Sequence, residues 1–142
     1  MATSVKLWLC LLGIAVVPLA AQAPDLSGTW HSDSNTSLKW ILNQKGDQLH
    51  VQEFTGDKVE TDFTCSLLGT ECVAKKGGRS EKISMYFNGA KLVEIRERGE
   101  SAIKQWLTVS ADGKTLTVET VPLVSGEKPE TVSFHRQDTQ TN

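Results

Sequence analysis

Lys82–Arg96 (KISMYFNGAKLVEIR) reads as two alternating arms around a tight turn. Side chains of an extended chain point alternately to opposite faces, so Ile83, Met85 and Phe87 share one side. Asn88-Gly89 follows, the dipeptide favoured in a type I′ turn because both central residues need positive φ. Val93 and Ile95 return antiparallel and are expected on the buried face with Ile83 and Met85. Glu94, Arg96 and Arg98 are then expected to form a solvated charged face of cross-strand pairs.

The same punctuation recurs on both sides of this hairpin. Strand signals separated by Gly, Asn and Asp at intervals of about 8–12 residues are the spacing of an all-β sandwich or barrel. Upstream, Leu26–His31 opens the fold, and Leu38, Trp40 and Leu42 alternate with Lys39 and Asn43. Lys45-Gly46-Asp47 turns the chain into Leu49 and Val51, and Phe54 breaks their parity, which predicts a bulge near Gln52-Glu53. Val59, Thr61, Phe63 and Cys65 form a half-buried strand, while Ser66–Lys75 has room for a short helix. Downstream, Ile103, Leu107 and Val109 alternate with Lys104, Trp106 and Thr108. Asp112-Gly113 leads into Leu116 and Val118, Pro122 ends that strand, and Val132, Phe134 and Arg136 close the series. The predicted fold is all-β, an antiparallel up-and-down meander of about 8–9 strands. Closure into a barrel removes exposed edges and is favoured over a sandwich.

Lys6 followed by the uncharged run Leu7–Ala20, with Ala21-Gln22-Ala23 behind it, has the form of a cleavable signal peptide. The run is too short for a membrane span, which needs about 20 apolar residues, and Pro18 interrupts it. Residues 1–23 are therefore expected to be a signal peptide and 24–137 a single domain. Residues 138–142 are expected to be a disordered C-terminal tail, and the protein to be secreted or periplasmic. Export takes Lys6 away. The 142-residue chain has 15 basic and 17 acidic residues, so its net charge moves from −2 to −3. Such a balance lacks the clustered positive face that nucleic acid or an anionic membrane requires, and neither partner is expected. Of three cysteines, Cys10 lies in the leader. Cys65 and Cys72 remain as an even pair in an oxidising compartment, either disulfide-bonded or as two thiols, the bridge being favoured.

Leu26-Ser27-Gly28-Thr29-Trp30 resembles the opening strand of lipocalin-like (calycin-type) proteins, whose hallmark is Gly-x-Trp. More broadly the chain is similar to small exported bacterial domains that carry GTW early and ADGKTLTVE late. The resemblance implies a barrel whose closed end is plugged by Trp30, with Arg136 of the last strand packed across the indole. An ordinary core tryptophan is the alternative. It also implies a carrier of a small apolar ligand. The inward set expected from alternation is bulky: Trp40, Leu42, Leu49, Val51, Phe63, Ile83, Met85, Phe87, Val93, Ile95, Leu107, Leu116, Val118 and Phe134. Such side chains fill a small barrel rather than leave a roomy cup.

No residue earns a catalytic assignment. His31, His50 and His135 lack metal-ligand spacing, although His31 and His135 approach each other if first and last strands meet, so neither a metal nor a cofactor is expected. Glu60/Asp62 and Glu94/Glu97 read as exposed carboxylates that aid solubility. Two functions remain in play. One is the small-ligand barrel. The other is an envelope or extracellular interaction module whose contact is Leu67 and Leu68 on the loop pinned by Cys65 and Cys72, unless those leucines cap one barrel mouth instead.

Overall fold

The computed structural model describes residues 23–124 and 126–139. The expected leader therefore lies outside the described residues except for Ala23, and the expected tail except for Asp138 and Thr139. Ten antiparallel strands lie among the described residues: β1 (Gly28–Ser32), β2 (Leu38–Lys45), β3 (Gln48–Thr55), β4 (Lys58–Ser66), β5 (Cys72–Lys76), β6 (Arg79–Asn88), β7 (Lys91–Arg98), β8 (Ser101–Val109), β9 (Thr115–Pro122) and β10 (Glu130–Arg136). They form one sheet in the order β4-β3-β2-β1-β10-β9-β8-β7-β6-β5. The first and last strands pair, with Trp30 opposite Arg136 and His31 opposite His135. That pairing bends the sheet into a nearly closed barrel rather than a sandwich. The one seam lies between β4 and β5, the two ends of the order.

The count is ten because the segment expected to hold a short helix is a loop followed by β5. A shift of register between Glu53 and Phe54 is the bulge that Phe54 predicts. The central hairpin differs in detail. Asn88 belongs to β6 and pairs with Lys91, leaving Gly89 and Ala90 as the turn. Positive φ occurs at Gly89 (62°) but at no non-glycine residue among those described. That is the type II′ pattern, with glycine at the first central position, rather than type I′.

The core sits inside the barrel. Trp40, Leu42, Leu49, Val51, Phe63, Ile83, Met85, Leu107, Leu116, Val118 and Phe134 are buried in one cluster, with Phe87 packed against it. Full burial of such side chains stabilises by about 1.5–3 kcal/mol each, which makes this cluster the main source of stability. Trp40 and Phe134 pack with ring centroids 4.8 Å apart.

One end is sealed from within by Leu26 and Trp30, both fully buried. The Trp30 indole Nε1 donates to the Leu26 carbonyl at 3.0 Å. The Arg136 guanidinium lies 4.5 Å from the Trp30 ring centroid and donates from Nη2 to the Asp25 carbonyl at 3.1 Å. Gly28 lets the arginine cross here, since a Cβ at that position would come within 3.3 Å of the Arg136 stem. Arg136→Ala removes both the cation–π contact and the packed stem. It is expected to cost about 0.5–2 kcal/mol, measured as a lower melting temperature with a shift in tryptophan emission. An unchanged melting curve would show that the contact contributes nothing.

Candidate functional site

Local pairing sets which side of β7 faces inward. Across the Gly89-Ala90 turn, Phe87 lies opposite Leu92, Met85 opposite Glu94 and Ile83 opposite Arg96. Directly opposed residues share a face, so Leu92, Glu94, Arg96 and Arg98 enter the barrel and Val93 and Ile95 lie outside. This reverses the expected assignment. Val93 is nonetheless buried, because Tyr86 and Trp106 flank it in register on the outer surface, and Lys104 lies over the Trp106 ring at 5.0 Å. Glu94, expected to be exposed, is buried; Glu97 is exposed as expected.

The inward charges form a network toward the end of the barrel opposite Trp30. Arg96 donates from Nε to Glu94 and, across the interior, from Nη2 to Glu53 of β3. Its Nη1 lies 3.7 Å from Glu81 Oε2. Arg98 donates to Glu81 Oε1, and Lys76 Nζ lies 3.5 Å from Glu53 Oε2. The Arg96 guanidinium also sits 5.5 Å from the Phe63 ring centroid. Glu53, Glu81, Glu94 and Arg96 are buried, whereas the side chains of Arg98 and Lys76 are 36% and 41% exposed at the rim.

Such burial disfavours charge. It pushes the Glu94 carboxyl above the ordinary carboxylate value despite the pull of Arg96, and Glu53 and Glu81 push in the same direction. For Arg96, burial acts downward, but the charges of Glu94 and Glu53 outweigh it and hold the guanidinium above its ordinary value.

Four buried polar atoms on this inward face find no hydrogen-bond partner among the described residues: Thr61 Oγ1, Glu81 Oε2, Gln105 Oε1 and Arg98 Nε. Gln105 spends its amide on Thr120, donating from Nε2 at 2.9 Å. Unpaired buried groups cost about 1–3 kcal/mol each. Arg98 and Glu81 bond each other at the mouth, while Thr61 and Gln105 stand opposite Glu53 and Glu94 in register. A cavity of about 270 Å³ opens at the mouth, lined by Lys76, Glu81, Arg96, Arg98, Ser101 and Ile103 but not by Thr61 or Gln105. A larger hollow of about 480 Å³ lies at the other end against Gly28 and Arg136, with Arg136 Nε unpaired beside it. It has no comparable convergence of buried charges, so the charged mouth is the better candidate.

The remaining candidates from the sequence lie elsewhere. Cys65 and Cys72 are disulfide-bonded with Cα atoms 5.4 Å apart, joining β4 to β5 across the seam. Leu67 is buried in the core cluster, while Leu68 is 71% exposed and bridges to Tyr86. His31 and His135 stack with centroids 5.7 Å apart, and His135 Nδ1 lies 2.7 Å from Asp33 Oδ1. His50 Nε2 lies 2.6 Å from Asp62 Oδ1, a contact that holds the Asp62 carboxyl below its ordinary range. No group of three or more metal-ligating side chains with suitable geometry occurs among the described residues.

Fold and site together define a nearly closed, ten-stranded antiparallel β-barrel with an ionic network at one mouth. Two solved structures are similar to it. One is a SAHS ("secretary abundant heat soluble") protein from Ramazzottius varieornatus, with a TM-score of 0.66 at 12% identity over 83% of this chain and 99% of that one. The other is a point mutant of the fluorescent protein UnaG, with a TM-score of 0.57 at 19% identity over 80% of this chain and 97% of that one. At such identities the likeness is one of fold. No protein-family model and no curated protein matches the chain by sequence.

Proposed function

We propose that this chain is a non-catalytic, exported binding barrel that holds one small ligand at its charged mouth. The carrying observation is the cavity at the charged mouth, lined by Glu81 and Arg98, whose buried Oε2 and Nε find no hydrogen-bond partner among the described residues. The apolar cargo implied by the lipocalin resemblance needs a polar head to suit this site. Below the network the interior is occupied by Trp40, Met85, Val118 and Phe134. The ligand is therefore amphipathic, with a short apolar body.

Export is supported by the signal-peptide pattern of residues 1–23 and by a disulfide that suits an oxidising compartment. The proposed home is the periplasm or the extracellular space. A second reading places a protein contact at Leu68 and Tyr86, favoured by the exposure of Leu68 on a covalently pinned loop.

Native mass spectrometry of the mildly purified exported chain tests these readings. The expected result is a polypeptide beginning at or shortly before residue 24 that carries a small-molecule adduct. A ligand-free mass, with a protein partner lost on Leu68→Asp, would move the function to the loop. Retention of the leader would overturn export with cleavage.

A further inference from the structure

We propose that His31 and His135 form a surface site for one divalent transition-metal ion of the Zn²⁺ class, which clamps the first strand of the barrel to the last. The site lies on the outer face, apart from the charged mouth. Three observations carry it.

Register puts the two imidazoles together. His31 of β1 and His135 of β10 stand directly opposite each other. Trp30, Ser32 and Phe134 beside them are buried, so alternation along each strand turns both rings outward. The rings stack with centroids 5.7 Å apart and planes 23° apart. A ligating nitrogen about 2.0–2.1 Å from the metal places its ring centroid about 3.2 Å away, so two imidazoles sharing one ion have centroids about 4.5–6.4 Å apart. The observed spacing already falls in that range. What remains is a turn of the rings about χ2, a soft torsion in histidine.

Hydrogen bonding leaves one nitrogen free on each ring. His135 Nδ1 lies 2.7 Å from Asp33 Oδ1, and His31 Nε2 lies 3.1 Å from Gln137 Oε1. A carboxylate and an amide oxygen only accept, so those two ring nitrogens carry the proton. In the neutral rings His135 Nε2 and His31 Nδ1 are then the bare nitrogens, the form in which imidazole ligates. An acceptor behind the other nitrogen is also what orients a metal-bound histidine and raises its basicity.

The surroundings admit a cation. Asp33 brings a half-exposed carboxylate to His135. Lys39, opposite His31 on β2, lays its ammonium over the Phe54 ring at 4.4 Å, and Thr115, opposite His135 on β9, is uncharged. Two imidazoles leave the other coordination positions to water. Nitrogen donors suit Zn²⁺, Cu²⁺ or Ni²⁺, whereas Mg²⁺ and Ca²⁺ take oxygen. The clamp falls on the shortest ladder of the barrel, where only Trp30–Arg136, His31–His135 and Ser32–Phe134 pair.

Isothermal titration of the exported chain with ZnCl₂, and with MgCl₂ for comparison, tests the proposal alongside melting curves. Zn²⁺ is expected to bind at one ion per chain and to raise the melting temperature, because a ligand held only by the folded state stabilises it. Mg²⁺ is expected to do neither. His31→Gln and His135→Gln, each checked for folding by its metal-free melting curve, are expected to abolish the Zn²⁺ effect. Asp33→Asn should weaken Zn²⁺ binding by about tenfold, the usual cost of losing the group behind a metal-bound histidine. His50→Gln, which alters the other exposed histidine–carboxylate pair, should leave the affinity unchanged. Absence of Zn²⁺ binding, binding that survives both His31→Gln and His135→Gln, or binding lost with His50→Gln would overturn the proposal.

Discussion

Arg96→Leu is expected to destabilise the barrel by about 3–5 kcal/mol at neutral pH, the usual result of removing one partner from a buried ion cluster. The guanidinium joins β7 to Glu94 of its own strand and to Glu53 across the interior, and it approaches Glu81. Leucine fills part of the volume but leaves those carboxylates without their buried cation. The loss should depend on pH in a definite direction. Glu94 already has its carboxyl raised by burial, and Arg96 is what pulls it down. Without Arg96 the folded state holds the Glu94 proton to still higher pH than the unfolded chain does. Stability changes with pH as the unfolded-minus-folded proton count, so it falls as pH rises from the ordinary carboxylate value through the raised one. The penalty is therefore fully present above the folded value and recedes as pH drops toward about 4.3, the ordinary glutamate value. Urea unfolding of wild type and variant at pH 7 and pH 5 should show the difference narrowing at the lower pH. An equal difference at both would mean that Glu94 is not the group left stranded.

The position of these charges was partly legible, and the reason it was misjudged is geometric. In a hairpin with a two-residue loop, each odd-numbered residue of one strand faces an even-numbered residue of the other. Once Ile83 and Met85 are inside, Leu92, Glu94 and Arg96 must be inside too. Hydrophobicity alone favoured Val93 and Ile95, but the parity of the turn prevails over composition, because one step of register reverses every side chain. The partner that makes Arg96 tolerable could not be seen locally, since Glu53 lies 43 residues away in sequence. The outer burial of Val93 is likewise collective, arising from Tyr86 and Trp106 on neighbouring strands. By contrast, the alternation of Thr61, Phe63 and Cys65 and the break at Phe54 are local patterns, and they appear as strand β4 and the bulge beside it. Leu67 and Leu68 show the limit of composition in a loop. Two adjacent identical side chains part company, one into the core and one into solvent.

The seam between β4 and β5 gives the second large effect. These strands end the sheet order and share no ladder; a backbone bridge from Leu68 and Gly69 to β6 closes one end, and side chains hold the rest. Cys65–Cys72 ties one end, and the Lys76–Glu53 contact crosses from β5 to β3 further along. In the chain-entropy account, closing so short a loop stabilises by about 2–3 kcal/mol, and Cys65→Ala/Cys72→Ala should lose roughly that amount. The loss should also be uneven in space. Local opening takes the lowest-energy route, and unpaired edges provide it. Amide exchange monitored by mass spectrometry should therefore accelerate first in peptides covering residues 58–76, while β1 and β10, hydrogen-bonded on both sides, keep their protection. The freed edges of β4 and β5 can then pair with other chains, so the double variant should also aggregate at lower temperature than the oxidised protein. Uniform acceleration throughout the barrel would mean that the bridge acts only on the unfolded chain and that the seam is no weaker than its ladders.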